Sequence, residues 1–322
     1  MPRVAVIGAG LAGLTCAKQL QTEGCEVVVL EKSRGAGGRL STRRTAQAQY
    51  DHGAQYFTVR DPGFAAFIEQ MCAQGAVAPW QPRLRQRSSE PWYVGTPGMS
   101  ALGRAQAQGL EVRTQTRVTA LVRQGSHWQL DVHEAQAIEG FDVVVVAIPN
   151  EQAQVLLQAH AAPWADALAL APMLPCWTMM FSTAQELCAF DADTPSDSAI
   201  GWWARNSSKP ARAAPAGQHD WVVQATPAWT QAQLEAAPET VAQSLIEAFA
   251  RAIDVAQVAP IEQPSVHRWL YARRTPGLPA LEPTRCSSAL GLGVCGDGLS
   301  HSRVEQAYLS GLTLAQQIAA QA

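Results

Sequence analysis

Within the thirteen residues Lys32–Arg44, KSRGAGGRLSTRR, stand three glycines, four arginines and a lysine. Guanidinium forks and unobstructed glycine backbone suit phosphate oxygens. The same composition also fits a disordered basic tail or a nucleic-acid patch. The residues upstream narrow the choice. Arg3–Ile7 is a short β-branched run of the kind buried on both faces of a parallel sheet, and it leads into Gly8-Ala9-Gly10-Leu11-Ala12-Gly13. This is GxGxxG, followed by the helical pattern LTCAKQLQTEG and a second apolar run, CEVVVLEK, ending in Glu31 and Lys32. Between a strand and a helix, such glycines permit a tight turn, backbone approach to a pyrophosphate and close helix–strand packing. The helix N-terminus then faces the phosphates, and the strand-ending acid accepts hydrogen bonds from ribose hydroxyls. Glu31 favours a free 2′-OH, as in NAD or FAD, over a 2′-phosphate.

Bulk composition removes several classes. The chain has 322 residues, 47% hydrophobic and 16% charged, with 24 basic against 27 acidic side chains and a net charge of -3. That is the balance of a globular protein with no basic excess, so a nucleic-acid partner is not expected. Only Lys18, Lys32 and Lys209 are lysines; the other cations are arginines. Seven cysteines are scattered without a CxxC pair, which suggests neither a disulfide framework nor a metal site, and points to a reducing compartment. Glycines interrupt the first apolar run, and no run approaches the roughly 18 apolar residues of a membrane span. A cytoplasmic protein is expected, with no membrane partner.

The segment after Glu31 separates NAD from FAD. An NAD-binding unit usually continues from the second strand into a helix, whereas here the chain opens into SRGAGGRLST. This resembles the second flavin motif of the FAD-containing amine oxidase superfamily. The resemblance implies that Gly37, Gly38 and Arg39 lie against the FAD pyrophosphate. In YDHGAQYFTVRD, Asp51, Gly53, Ala54 and Gln55 match the residues at the flavin's ring end. The longer string DHGAQYFTVRDPGF is closer to the renalase branch. Near the other end, LGLGVCGDGLSHSRVEQAYLSG gives a strand over Leu292–Cys295, a turn at Gly296-Asp297-Gly298 and a helix from about Arg303. It resembles the element that closes FAD sites in that superfamily, with Asp297 near the ribityl or pyrophosphate and Arg303 and Val304 at the helix end facing the pyrimidine. Val118 would meet the adenine through its backbone. Three motifs in this order make Lys32–Arg44 a phosphate cradle, and the expected cofactor is FAD, bound non-covalently.

The implied architecture is an α/β FAD-binding domain, Rossmann-like with a parallel sheet, over 1–55, 96–150 and 286–322. An α+β substrate domain with an antiparallel sheet is expected over 56–95 and 151–285. Residues 151–285 hold seven of the ten tryptophans, with alternating runs such as CWTMMF and DWVVQAT, a helix at PETVAQSLIEAFARAI, and a loop composition over NSSKPARAAPAGQHD. Most of these tryptophans belong to the core. His52, His267 and His301 stand near motifs; structural roles are expected of them, with His267 also a substrate-side candidate.

Resemblance to renalase-like proteins implies oxidation of 2- or 6-dihydro isomers of NAD(P) to NAD(P)⁺, with hydride passing to flavin N5 and O₂ yielding H₂O₂. This chemistry requires orientation more than acid–base groups. Gln55, Tyr56, His267 and Trp269 are the candidate substrate-side residues, with arginines 60, 205, 268 and 273 for a dinucleotide's phosphates. The alternatives are an amine oxidase and a flavin-binding sensor without turnover. Two departures tell against the first: APMLPCWTMMF lacks the lysine that amine oxidases place there, and GLSHSRVE lacks a tyrosine before the last helix. Oligomeric state is left open.

Overall fold

The computed structural model describes residues 1–321 except 47, 87, 196–198 and 213. The valine-rich run Arg3–Ile7 is the centre of a six-stranded sheet. On one side it pairs in parallel with Glu26–Leu30, which pairs with Glu111–Arg113. On the other it pairs with Val143–Val146 and then Leu292–Cys295, again in parallel, and Thr284–Ser287 closes that edge antiparallel. The helices Leu11–Thr22 and Val304–Ala319 pack together over one face. Close approach is possible because Gly311 lacks a Cβ, which would otherwise meet Ala12 O at 2.1 Å. Leu14, Leu20, Leu314 and Ala315 fill that layer, fully out of solvent. Both halves of the expected parallel FAD-type sheet are therefore present, assembled from distant pieces of chain.

A three-stranded antiparallel sheet, Val118–Gln124, His127–Val132 and Ile138–Phe141, caps the other face. After Val143–Val146 the chain crosses into a five-stranded antiparallel sheet in the order Ala192–Asp193, Ile200–Arg205, His219–Ala225, Met173–Thr183, Ser265–Arg274. The helix Pro238–Ala252 covers its outer face, burying Val241, Leu245 and Phe249 against Trp203 and Trp221. CWTMMF and DWVVQAT are thus neighbouring strands, and Trp177, Trp203 and Trp221 are core. Residues 56–95 form the helix Pro62–Ala73 and the hairpin Val77–Trp80 with Trp92–Gly95. That segment packs on both units: Phe67 stacks on Tyr308 at 4.4 Å, while Trp92 lies against Trp202.

The segment with loop composition, residues 206–220, is held tightly at several points. Asn206, fully buried, accepts from Asp51 N at 3.2 Å and donates to Gln49 O at 2.8 Å. Three and six residues on, Lys209 and Arg212 enter the core and converge on the Asp51 carboxylate; all three side chains are inaccessible to solvent. Arg212 Nη2 lies 2.5 Å and Lys209 Nζ 3.4 Å from Asp51 Oδ2. Oδ1 accepts from Met99 N and Thr42 Oγ1, each at 2.8 Å. Burial alone would raise the Asp51 pKa, but Lys209, Arg212 and the Met99 N–H outweigh it and hold the carboxyl below its ordinary value. Burial pulls the Lys209 ammonium down to about 8 despite Asp51, because the closer Arg212 shares the same carboxylate and opposes the second charge. Asp51→Asn would leave two buried cations without their counter-ion. We expect it to lower unfolding free energy by about 3–5 kcal/mol in denaturant melts; a change under about 1 kcal/mol would mean the cluster is wet and dispensable.

Candidate cofactor and substrate site

One cavity of about 1860 Å³ runs from the C-terminal edge of the parallel sheet to the inner face of the antiparallel sheet. Gly8, Gly10, Leu11, Ala12, Glu31, Lys32, Gly37, Gly38, Arg39, Gly53, Ala54, Gln55, Val118, Gly296, Asp297, Arg303 and Val304 all line it, as do Tyr56, His267 and Trp269. Gly13 does not. It packs beneath the turn, where a Cβ would sit 2.1 Å from Gly8 O, which is the helix–strand contact expected of the third glycine.

The phosphate end is built from two loops tied to each other. Gly37 N donates to Ala9 O at 2.8 Å, and Gly37 adopts φ 122°, a left-handed backbone that other residues rarely take. Glu31 locks both loops: Oε2 accepts from Ala9 N at 2.8 Å and Oε1 from Ser33 N at 2.7 Å. A carboxylate has about four lone-pair sites, so acceptor capacity remains toward the cavity. A Cβ on Gly10 would meet nothing within 4 Å, leaving the backbone open to a ligand. The helix Leu11–Thr22 starts at Gly10 and the helix Val304–Ala319 at Arg303, and neither has a side-chain cap. Their free N–H groups and dipoles suit phosphate and carbonyl oxygens. The residues present fit FAD at this end.

Arg39 and Asp297, far apart in sequence, meet in a two-bond ion pair: Nη2–Oδ1 2.5 Å and Nη1–Oδ2 3.0 Å. Nη1 also donates to Ala272 O at 3.0 Å. Asp297 therefore orients the guanidinium in the wall. The arginines expected at a phosphate mouth divide. Arg268 and Arg273 both border the cavity, but the Arg268 guanidinium turns to the other face of the sheet, over Trp177, where it pairs with Glu235 at 3.1 Å and donates to Leu234 O. Arg60 is instead paired with Glu90 on the surface, and Arg205 with Glu186 and Asp191, so neither contributes. Arg43 and Arg44 also line the cavity.

At the ring side, the alternation along Ser265–Arg274 places His267 and Trp269 beside His52. His52 stacks on Trp269 at 5.3 Å and meets His267 edge-on at 5.0 Å, while Trp269 Nε1 donates to His52 O at 2.8 Å. Burial, then the fields of His267 and Arg43, pulls His52 down to about 4. Tyr56 stacks on Trp92 at 3.8 Å. The Gln55 amide is spent internally: Nε2 donates to Asp51 O and Gly53 O, and Oε1 accepts from Lys209 at 3.2 Å. It therefore fixes the turn from within. Only the fold could bring Lys209 under Gln55; no local signal marks it.

Fold and cavity define a dinucleotide-dependent oxidoreductase of the two-unit flavoprotein kind. A family model described as flavin containing amine oxidoreductase matches residues 63–319, and one for an NAD(P)-binding Rossmann-like domain matches 6–71. The chain belongs to the flavin containing amine oxidoreductase family; it is an FAD-dependent oxidoreductase, and FAD is its cofactor. Among curated proteins, hydroxyneurosporene desaturase of Cereibacter sphaeroides is 39% identical over 61 residues, 19% of this chain and 12% of that one. Protoporphyrinogen oxidase 2 of Arabidopsis thaliana is 33% identical over 69 residues, 21% of this chain and 14% of that one. The matched stretches thus span only a small part of these relatives. Cyclohexylamine oxidase from Brevibacterium oxydans IH-35A has the same fold, with a TM-score of 0.78 and 13% identity over 99% of each chain. Among the described residues, no helix is long and apolar enough to cross a membrane, and no metal-binding cluster is present.

With Arg39 aimed into the cradle, Arg39→Ala is expected to weaken FAD retention roughly tenfold or more, the loss of a charged hydrogen bond. Unchanged flavin occupancy after dialysis would show that the guanidinium serves only Asp297.

Proposed function

We propose that the protein oxidises 2- or 6-dihydro isomers of NAD(P) to NAD(P)⁺, with O₂ as acceptor, in the manner of renalase-like oxidases. The carrying observation is the charge of the cavity wall: with Arg268 set aside, eight arginines and one lysine against three carboxylates among the described residues. That excess is more than one FAD pyrophosphate offsets, and it suits a second phosphate-bearing ligand. The ring-side wall of His52, Gln55, Tyr56, His267 and Trp269 offers aromatic surface and no carboxylate or lysine to receive or activate an amine.

The overall change is dihydro-NAD(P) + O₂ + H⁺ → NAD(P)⁺ + H₂O₂. Bound FAD supplies the two-electron acceptor between ring and oxygen. The ring becomes aromatic on losing hydride, so no side chain has to take a proton from it. The protein's task is then orientation and exclusion of water. Trp269 stacked on His52, with His267 edge-on to both, gives an aromatic wall, and the Asp51–Lys209–Gln55 network keeps the turn 51–55 in place. Arg273 meets the dinucleotide's phosphates. FAD is held without a covalent bond, consistent with Cys295 being buried in its strand and absent from the wall. In this reading the protein works in the cytoplasm, and the FAD-binding unit is 1–55, 96–150 and 286–322, with the substrate unit between.

Anaerobic mixing with 2- or 6-dihydro-NAD(P) is expected to bleach the flavin within seconds, with ordinary 4-dihydro-NAD(P)H far slower. Rapid bleaching by benzylamine, with no response to the isomeric dihydronicotinamides, would overturn the proposal in favour of an amine oxidase.

A further inference from the structure

Arg43 leaves the strand Thr42–Arg44 half-buried and enters the ring-side wall. Its Nη1 donates to Ser265 Oγ at 2.7 Å, and Nη2 stands 3.5 Å from His267 Nδ1. No ion pair to a carboxylate forms there among the described residues. Asp51, whose field reaches His52, is already shared by Arg212 and Lys209. The histidines add no counter-charge. Burial and Arg43 hold His267 below its ordinary value, as they do His52, so both rings are neutral near pH 7. His52 Nδ1 is buried without a hydrogen-bond partner among the described residues. The wall therefore carries one positive charge, spare guanidinium N–H donors and no anion.

We propose that Arg43 is a charge filter: its guanidinium favours a neutral ring carrying a hydrogen-bond acceptor and disfavours cationic ligands. The acceptor fits the carboxamide oxygen of a dihydronicotinamide, a part of the proposal that rests on the function proposed above. The cations disfavoured are alkylammonium groups and the pyridinium of NAD(P)⁺. The filter thereby rejects amines and weakens the hold on product relative to substrate. Like charges at short range in a partly desolvated wall repel, whereas a fork of N–H donors aimed at a carbonyl attracts.

The test is ligand binding to oxidised, FAD-loaded protein without oxygen, followed by the shift in flavin absorbance. The probes are 4-dihydro-NAD, NAD⁺ and benzylamine, the first two carrying identical phosphates so that only the ring charge differs. Arg43→Gln should tighten NAD⁺ and benzylammonium about three- to tenfold while weakening 4-dihydro-NAD by a similar factor. Arg43→Lys should keep the wild-type order. General damage to the wall would weaken all three together, so parallel weakening, or no change in any of them, overturns the filter. If wild type responds to neither nicotinamide yet benzylammonium tightens in Arg43→Gln, the filter stands and the dihydronicotinamide function falls.

Discussion

The fully buried carboxylate of Asp51 is the constraint on which the rest of the cavity depends. One oxygen accepts from the backbone of Met99 and the hydroxyl of Thr42; the other takes Arg212 and Lys209. Those partners lie on the glycine-arginine loop, at the start of the helix Ser100–Ala107, and on a segment from the antiparallel unit. Isolated, any of these charges would be very costly to bury, and together they are tolerable because the hydrogen bonds are nearly complete. The cluster also fixes the turn 51–55, whose Gly53 and Ala54 line the cavity, through Gln55 and through Ala54 N to Arg39 O at 2.9 Å. The phosphate loop and the ring-side wall are thereby held in one register.

With that register set, the site's character is electrostatic. Two uncapped helix ends, an oriented Arg39 and several arginines without a carboxylate partner line one end of the cavity, while the other side is aromatic, neutral in its histidines and cationic at Arg43. Such a wall does little acid–base work. It can align a planar ring and exclude water, which suits hydride transfer from a ring that gains aromaticity. Membership of the flavin containing amine oxidoreductase family fixes the cofactor and the type of chemistry, while the wall argues which substrate that chemistry serves.

The cofactor end was legible in sequence because its determinants are local. Gly8 to Gly13 and Glu31 sit at fixed offsets on a strand–helix–strand unit, and Gly37 to Arg39 follow at once. The Gly296–Asp297 turn was legible too, as a strand ending in glycine. Interactions over long separations were not. Lys209 and Arg212 sit 158 and 161 residues from Asp51, inside a stretch whose proline, serine and alanine content reads as loop. Burial of two cations there follows only from which strand the segment happens to cross. Likewise Arg60, Arg205 and Arg268 look like Arg273 in sequence; carboxylates outside the cavity claim the first three, and the cavity takes the fourth. Arg43 and Arg44 are adjacent, yet strand alternation sends one to His267 and the other toward Ser100.

The most direct measurement of the central claim, that one cavity seats FAD and a dihydronicotinamide together, is a crystal structure of the FAD-loaded protein with 4-dihydro-NAD bound without oxygen. The account predicts the FAD pyrophosphate against Gly10–Ala12 and Arg39, and the nicotinamide ring beside His267 and Trp269 with its carboxamide toward Arg43. A nicotinamide bound outside this cavity, or a flavin ring lying where the nicotinamide is required, would contradict it.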